Sequence, residues 1–338
     1  MKLDFNHIQA AHCENGVTVG LLKNSGVQQI TEPLAFGIGS GLFFVYIPIF
    51  KINNGPVIAF RSMPGLIFKR TCNALDIPIV RKKFRSKEAA EKFLNDRLAE
   101  GHPVGCQVGV YYLPYFPREY RFHFNAHNLI VFGNEDGNYM VSDPVMEGTN
   151  VMSAYELERV RFAKGALAPK GQLYYPKENK SVTDEQIRAG IISGIKRNVF
   201  SMISPLMGPI AGVNGINYTG NKIKQWRDKL GVKEAGSYLA QLVRMQEEIG
   251  TGGGGFRYIY GAFLQEAYAY VPIDELLEIS KQFTASGDLW REGAIQAAGI
   301  YKGRLGSQED FNKMGDYLLE IAEIERKAFK ALKNIKWK

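Results

Sequence analysis

A chain of 338 residues is too long for one ordinary hydrophobic core and fits two domains. Hydrophobic residues make up 45% and charged residues 22%, which excludes a disordered or fibrous chain. The net charge of +8 favours an acidic partner, but no Lys/Arg-rich block or nucleic-acid motif accompanies it, so no nucleic acid is expected.

The start, MKLDFNHIQAAHCENG, lacks the basic-then-apolar plan of a signal peptide. The cysteines Cys13, Cys72 and Cys106 form neither a disulfide framework nor a zinc spacing, so a cytoplasmic protein without a metal is expected. The segment Cys13 to Asn24 reads as a helix closed by Gly26. Residues 34–50 carry no charge but contain Gly37, Gly39, Gly41 and Pro48, so they read as a buried loop and strand and no membrane span is expected. Pro64 opens a short helix to Leu75. Ser86 caps a helix to Glu100, with Ala90, Phe93, Leu94 and Leu98 on one face. The alternation of Val104, Cys106, Val108, Val110 and Tyr112 predicts a half-buried strand. Strands over 127–132 and 139–143 flank GNEDGN, a hairpin-type turn. The passage that follows is rich in Gly, Pro and Lys and has no periodicity; the linker is placed at 166–180, between a domain over 1–165 and a helical domain over 181–338. Thr183 and Gln186 form a capping box ahead of Ile187, Ile191, Ile195 and Val199 at helical spacing. Further helices fit 221–230, 234–249, 256–270, 273–282, 288–301 and 308–334.

Thiolate chemistry needs a cysteine with a lowered pKa, a base beside it and a group that orients the base. Cys13 stands at a helix start, where the dipole favours a thiolate. Cys106 alternates with valines and Cys72 lies inside a helix, so both read as core. If Phe132 pairs with Tyr139, His127 falls opposite Pro144, one residue from Asp143 and within cross-strand reach of it. His12 reads as a cap or wall residue, and His123 is the second choice of base. Gly37, Gly39 and Gly41 read equally as a wall of a substrate pocket or as a tight turn. TGGGGFR at 251–257 precedes a helix, so Gly253 and Gly254 are candidates to bind a phosphate. Arg257 can pair with a bound anion or with a carboxylate of the fold.

HCENGVTVGLLKNSG, LAEGHPVGCQVGV and HNLIVFGNEDGNYMVSDP together resemble the papain-like cysteine peptidases that process bacteriocin leaders. That resemblance implies Cys13 as nucleophile, His127 as base and Asp143 as orienter. It also implies an oxyanion-hole glutamine; Gln9 lies closer to the cysteine than the family places it, and the backbone N–H of Cys13 with another donor is the alternative. Across nearly its whole length the chain resembles the butirosin-biosynthesis protein H-like acyltransferase family, through HCENG with TEPLAFGIGSGLFFVY and through EIGTGGGGFRYIYGAFLQEA. This implies an α+β protein with a papain-like N-terminal domain and an all-helical C-terminal domain. It further implies transfer of an acyl group from an acyl carrier protein or coenzyme A thioester, through Cys13, to an amine or hydroxyl acceptor in secondary-metabolite or lipid biosynthesis. The phosphopantetheine thioester would be a substrate, and no tightly bound cofactor is expected. The alternatives are a papain-like peptidase or amidase and a non-catalytic binding protein on a degenerate papain-like fold.

Overall fold

In the computed structural model, which describes residues 1–52 and 55–337, the His12 ring accepts a hydrogen bond from the Asn15 N–H and so caps the helix that follows. In chain order the elements are α1 (Cys13–Asn24), α2 (Glu32–Ile38), β1 (Leu42–Ile52), β2 (Gly55–Arg61), α3 (Leu66–Ala74), β3 (Ile79–Lys82), α4 (Lys87–Ala99), β4 (Val104–Val108), β5 (His127–Glu135), β6 (Asn138–Ser142), β7 (Thr149–Ser153), α5 (Ala154–Arg161) and β8 (Leu173–Pro176). They continue with α6 (Asp184–Ile203), α7 (Gly212–Val243), α8 (Arg257–Ala267), α9 (Glu275–Tyr301) and α10 (Gln308–Asn334). The architecture is α+β. Two units form, and neither is continuous in sequence: residues 1–35 with 67–183, and 36–66 with 184–338.

The first unit is an antiparallel sheet in the order β3-β8-β4-β5-β6-β7. Leu94 and Leu98 of α4 and Leu157 and Val160 of α5 share one apolar cluster with Val104, Cys106 and Val108 of β4 and Leu129 and Val131 of β5. Against β5 lies α1, close enough that a Cβ at Gly20 would meet Ile130 Cδ1 at 2.8 Å. Strand β4 is therefore covered on both faces and buried throughout, not half-buried as its alternation predicts. It also ends at Val108, and Val110–Tyr112 is a 3-10 turn.

The proposed linker is not one. β8 lies within 166–180, all of its residues are buried, and it pairs with both β3 and β4. Four residues between Gly-, Pro- and Lys-rich flanks are too short to show a period. The hairpin also differs from expectation. The strands run on to Glu135 and Asn138, and Asp136 and Gly137 turn with positive φ of 50° and 82°. That two-residue Asp-Gly turn matches the twist of the strands. A register shift between Val131 and Gly133 then places Asn134, not Phe132, opposite Tyr139.

The second unit is helical but not all-helical, because it holds the β1–β2 hairpin. Phe44 and Phe60 of the hairpin pack on Trp290 of α9, with ring centroids 5.9 Å and 5.0 Å away. Tyr46 packs on Trp226 of α7 and bonds through its N–H to the Ile210 carbonyl. The uncharged stretch 34–50 is thus part of α2 and β1, and among the described residues no helix is long and apolar enough to cross a membrane. Gly231, with a φ of 75°, kinks α7 where the sequence divides it into two helices. The break expected between 282 and 288 is absent. Gly287 sits inside α9, and its missing side chain admits the Tyr258 ring, which a Cβ would meet at 2.7 Å.

Candidate active site

The site is assembled at the N-terminus of α1 in the first unit. Glu32 holds the backbone ahead of Cys13: its carboxylate accepts the Ala11 N–H at 3.0 Å, the His12 N–H at 2.9 Å and the Asn15 carboxamide at 3.3 Å. Burial raises its pKa against the lowering effect of these bonds. Next to the cysteine, the buried Glu14 carboxylate accepts the Ile67 and Phe68 N–H groups and thereby caps α3. Gly16, one turn into α1, lets the helix approach the segment after Asp143; a Cβ there would lie 2.3 Å from Pro144 Cβ. Ala10 donates its N–H to the Pro144 carbonyl at 2.8 Å. His7 adds a tie on the same side, with Nδ1 2.8 Å from Ser142 Oγ and Nε2 3.0 Å from the Met146 carbonyl.

His127 opens β5 and Asp143 directly follows β6. His127 Nε2 and Asp143 Oδ2 are 2.7 Å apart, with both side chains buried. The sulfur of Cys13 is near enough to act on the same ring and raise its pKa. Since Nε2 is engaged by the carboxylate, Nδ1 is the nitrogen left for the sulfur. Burial by itself depresses the imidazolium, but the Asp143 carboxylate, the Cys13 sulfur and the hydrogen bonds to both outweigh it and raise the His127 pKa to about 10. The ring therefore carries its proton at neutral pH, between the Asp143 carboxyl group and the Cys13 sulfur.

Asp143 is fixed in turn. Tyr115 donates its hydroxyl to Oδ2 at 2.8 Å, and the Val145 N–H donates to Oδ1 at 3.3 Å. Burial, and then the charge of Asp143, hold the Tyr115 phenol protonated. Phe116 packs edge-on against His127 at 5.4 Å. Tyr115 and Phe116 come from an aromatic-rich loop between β4 and β5 that sequence reasoning assigned no role. Asn128, also unforeseen, places its carboxamide nitrogen 3.8 Å from the Cys13 sulfur.

The other candidates fall elsewhere. Cys72 and Cys106 are fully buried and burial raises both thiols, whereas Cys13 keeps 7% of its surface. His123 is exposed and stacks on Tyr111 at 4.1 Å, whereas His127 pairs with Asp143. Gln9 is exposed in the loop before α1. Gly37, Gly39 and Gly41 belong to the second unit and are buried. At Gly37 a Cβ would strike the Phe263 ring at 2.2 Å and at Gly41 the Phe36 ring at 2.3 Å, so these two make room for packing.

The phosphate-loop reading of TGGGGFR is corrected. The Gly253 N–H donates to Thr251 Oγ1 at 3.0 Å and the Gly254 N–H to Glu247 Oε1 at 3.1 Å, so a carboxylate of the fold already takes the anion's place. Gly253, Gly254 and Gly255 have φ of 84°, 56° and 56°, a backbone path that favours glycine. Arg257 is fully buried and forms a two-pronged pair with Glu325, Nε–Oε1 at 2.8 Å and Nη2–Oε2 at 2.9 Å. It binds the carboxylate of the fold and has no surface left for a ligand. Among the described residues no cluster of His, Cys, Asp and Glu can hold a metal ion.

Residues 12–144 match the family described as butirosin biosynthesis protein H, N-terminal. Residues 155–332, more than half of the chain, match a domain of unknown function (DUF4872). A crystal structure described as a C39-like peptidase from Bacillus anthracis is 14% identical, is covered in full, covers 53% of this chain, and has a TM-score of 0.37. No curated protein matches the chain. The two matches lie in tandem along the chain: it belongs to the family of that domain of unknown function (DUF4872), and the region ahead of it, which carries Cys13, His127 and Asp143, is similar to butirosin biosynthesis protein H, N-terminal.

Proposed function

We propose that the chain is an acyltransferase that takes an acyl group from a phosphopantetheine thioester, on an acyl carrier protein or coenzyme A, and passes it through Cys13 to an amine or hydroxyl acceptor. The observation that supports this reading is the buried His127–Asp143 pair at 2.7 Å with the Cys13 sulfur acting on the same imidazole, a grouping that suits a nucleophile, its base and the base's orienter. The Cys13 thiolate attacks the thioester carbonyl, and the tetrahedral adduct expels the pantetheine thiolate, which takes the proton from His127. The neutral imidazole then removes a proton from the acceptor as it attacks the acyl-cysteine. Thiolate and imidazolium are thereby restored. One thioester replaces another in the first half, so little bond energy changes. The net charge of +8 suits an acidic carrier.

Incubation with acyl-pantetheine, followed by intact mass spectrometry, is expected to show one acyl group on Cys13 and none in the Cys13→Ala protein. Added amine should discharge the adduct faster than water does. Cleavage of peptides in the absence of any thioester, without an acyl-pantetheine adduct, would replace this reading with a papain-like peptidase or amidase. The absence of both reactions would leave a binding protein.

A further inference from the structure

The Cys13 sulfur meets a polar side chain beyond the Cys–His–Asp set. Asn128 follows His127 on β5, is 2% exposed, and points its carboxamide nitrogen at the sulfur. A carboxamide can turn over and exchange N for O, and only one of the two orientations puts a donor at sulfur. Tyr174 of β8 selects that orientation, since its hydroxyl donates to Asn128 Oδ1 at 2.7 Å. The Asn128 nitrogen also donates to the Ala126 carbonyl at 3.1 Å, which agrees with the same assignment. Burial, then the charges of Glu14 and Cys13, keep the Tyr174 phenol well above its ordinary pKa, so it stays a donor.

The reach of Tyr174 depends on a residue between the two strands. β4 separates β8 from β5 in the sheet, and Gly105 of β4 pairs with Tyr174. A Cβ at 105 would meet the Tyr174 ring at 2.6 Å. The missing side chain leaves the ring room to lie over β4 and touch Asn128. Three residues far apart along the chain thus fix one amide group beside the reacting atom.

We propose that Asn128, oriented by Tyr174, is a catalytic residue of this centre: its amide N–H stabilises the negative charge on the Cys13 sulfur before attack and again when the thiolate departs from the acyl-cysteine. A hydrogen bond to an anion in a buried site is among the stronger ones, and here the donor is already in place before charge develops. The inference rests on Cys13 as nucleophile, as proposed above, but not on the identity of the acyl donor.

The test is the pH profile of Cys13 alkylation by iodoacetamide in the full chain, read by mass spectrometry. In Asn128→Ala the thiolate titration is expected to move upward by about one pH unit, so that the rate falls about tenfold on its rising limb, below the plateau that begins near pH 6. Tyr174→Phe should shift it in the same direction by less, because the amide is then free to turn its oxygen to the sulfur. Asn128→Asp, equal in size but anionic, should shift it furthest. Profiles that coincide with the unaltered protein in both Asn128→Ala and Tyr174→Phe overturn the proposal, and Tyr174→Phe decides alone if Asn128→Ala does not fold. Alkylation needs no acyl donor. Rapid alkylation that responds to Asn128 without any acyl adduct would therefore support this role and refute the transferase, while a Cys13 inert to iodoacetamide would overturn both.

Discussion

Replacing His127 by alanine is expected to slow Cys13 alkylation near pH 6.5 on the order of a hundredfold, because an ordinary thiol is only about one per cent ionised there. With His127 present, the imidazolium persists up to its pKa of about 10, and the sulfur faces a cation throughout the neutral range. The unaltered protein should therefore alkylate at a nearly constant rate from about pH 6 to pH 9, whereas the variant should titrate like a free thiol. Cys72 and Cys106 are fully buried, so the label reports on Cys13. The same ion pair acts on stability. Its folded-state pKa of about 10 exceeds the ordinary value of 6.5, so its contribution is complete below about pH 6.5 and disappears as the pH rises through about 10. The gap in urea midpoint between the unaltered protein and His127→Ala should accordingly close across that window. A constant gap, or an alkylation profile unchanged by the substitution, would show that no thiolate–imidazolium pair exists.

Glu325→Ala is expected to destabilise the helical unit by about 3–5 kcal/mol, a large share of the about 5–15 kcal/mol that holds a typical protein folded. The loss leaves the Arg257 guanidinium buried without a counter-charge and also strips the acceptor from Ser286 Oγ at 2.8 Å and Trp290 Nε1 at 3.3 Å. Glu325→Gln, which keeps an acceptor of the same shape, should cost less. Replacing both partners, as Arg257→Met with Glu325→Met, should recover part of the loss, since neither charge then remains buried. Urea denaturation read by circular dichroism measures all three. A loss below about 1 kcal/mol for Glu325→Ala, the size of an exposed pair, would mean that the buried pair does not hold this unit together. A change in substrate KM with unaltered stability would return Arg257 to the list of ligand-binding residues.

Local signals carried much of the fold. His12 and Ser86 cap α1 and α4, and those helices lie where capping and periodicity place them. The contact of His127 with Asp143 also follows from a short hairpin, even though its register differs by one or two residues from the expected one, because the two side chains stand at strand ends where neighbourhood is enough. Non-local pairing was hidden. Asn128 and Tyr174 meet only because β8 joins the sheet beside β4, and nothing near residue 174 announces that partner. Tyr115 sits in a loop whose aromatic residues have no period to reveal which one turns inward to Asp143. The glycine run at 252–255 reads like an anion loop by composition, yet the anion it serves is Glu247 of the same chain, seven residues before Gly254. A local pattern shows that backbone N–H groups converge, but it cannot show that an acceptor in the fold has already taken them.

The β1–β2 hairpin leaves the ribosome early in synthesis, whereas Trp226 and Trp290, on which its aromatic residues rest, follow more than a hundred residues later. Until then Phe44, Tyr46 and Phe60 lack their cover, and a nascent chain stalled near residue 180 would present them to water as a sticky ribbon. A gene split at that position should give two fragments that precipitate separately and regain solubility only when made together, because the earlier fragment holds strands that the later one needs to complete its core.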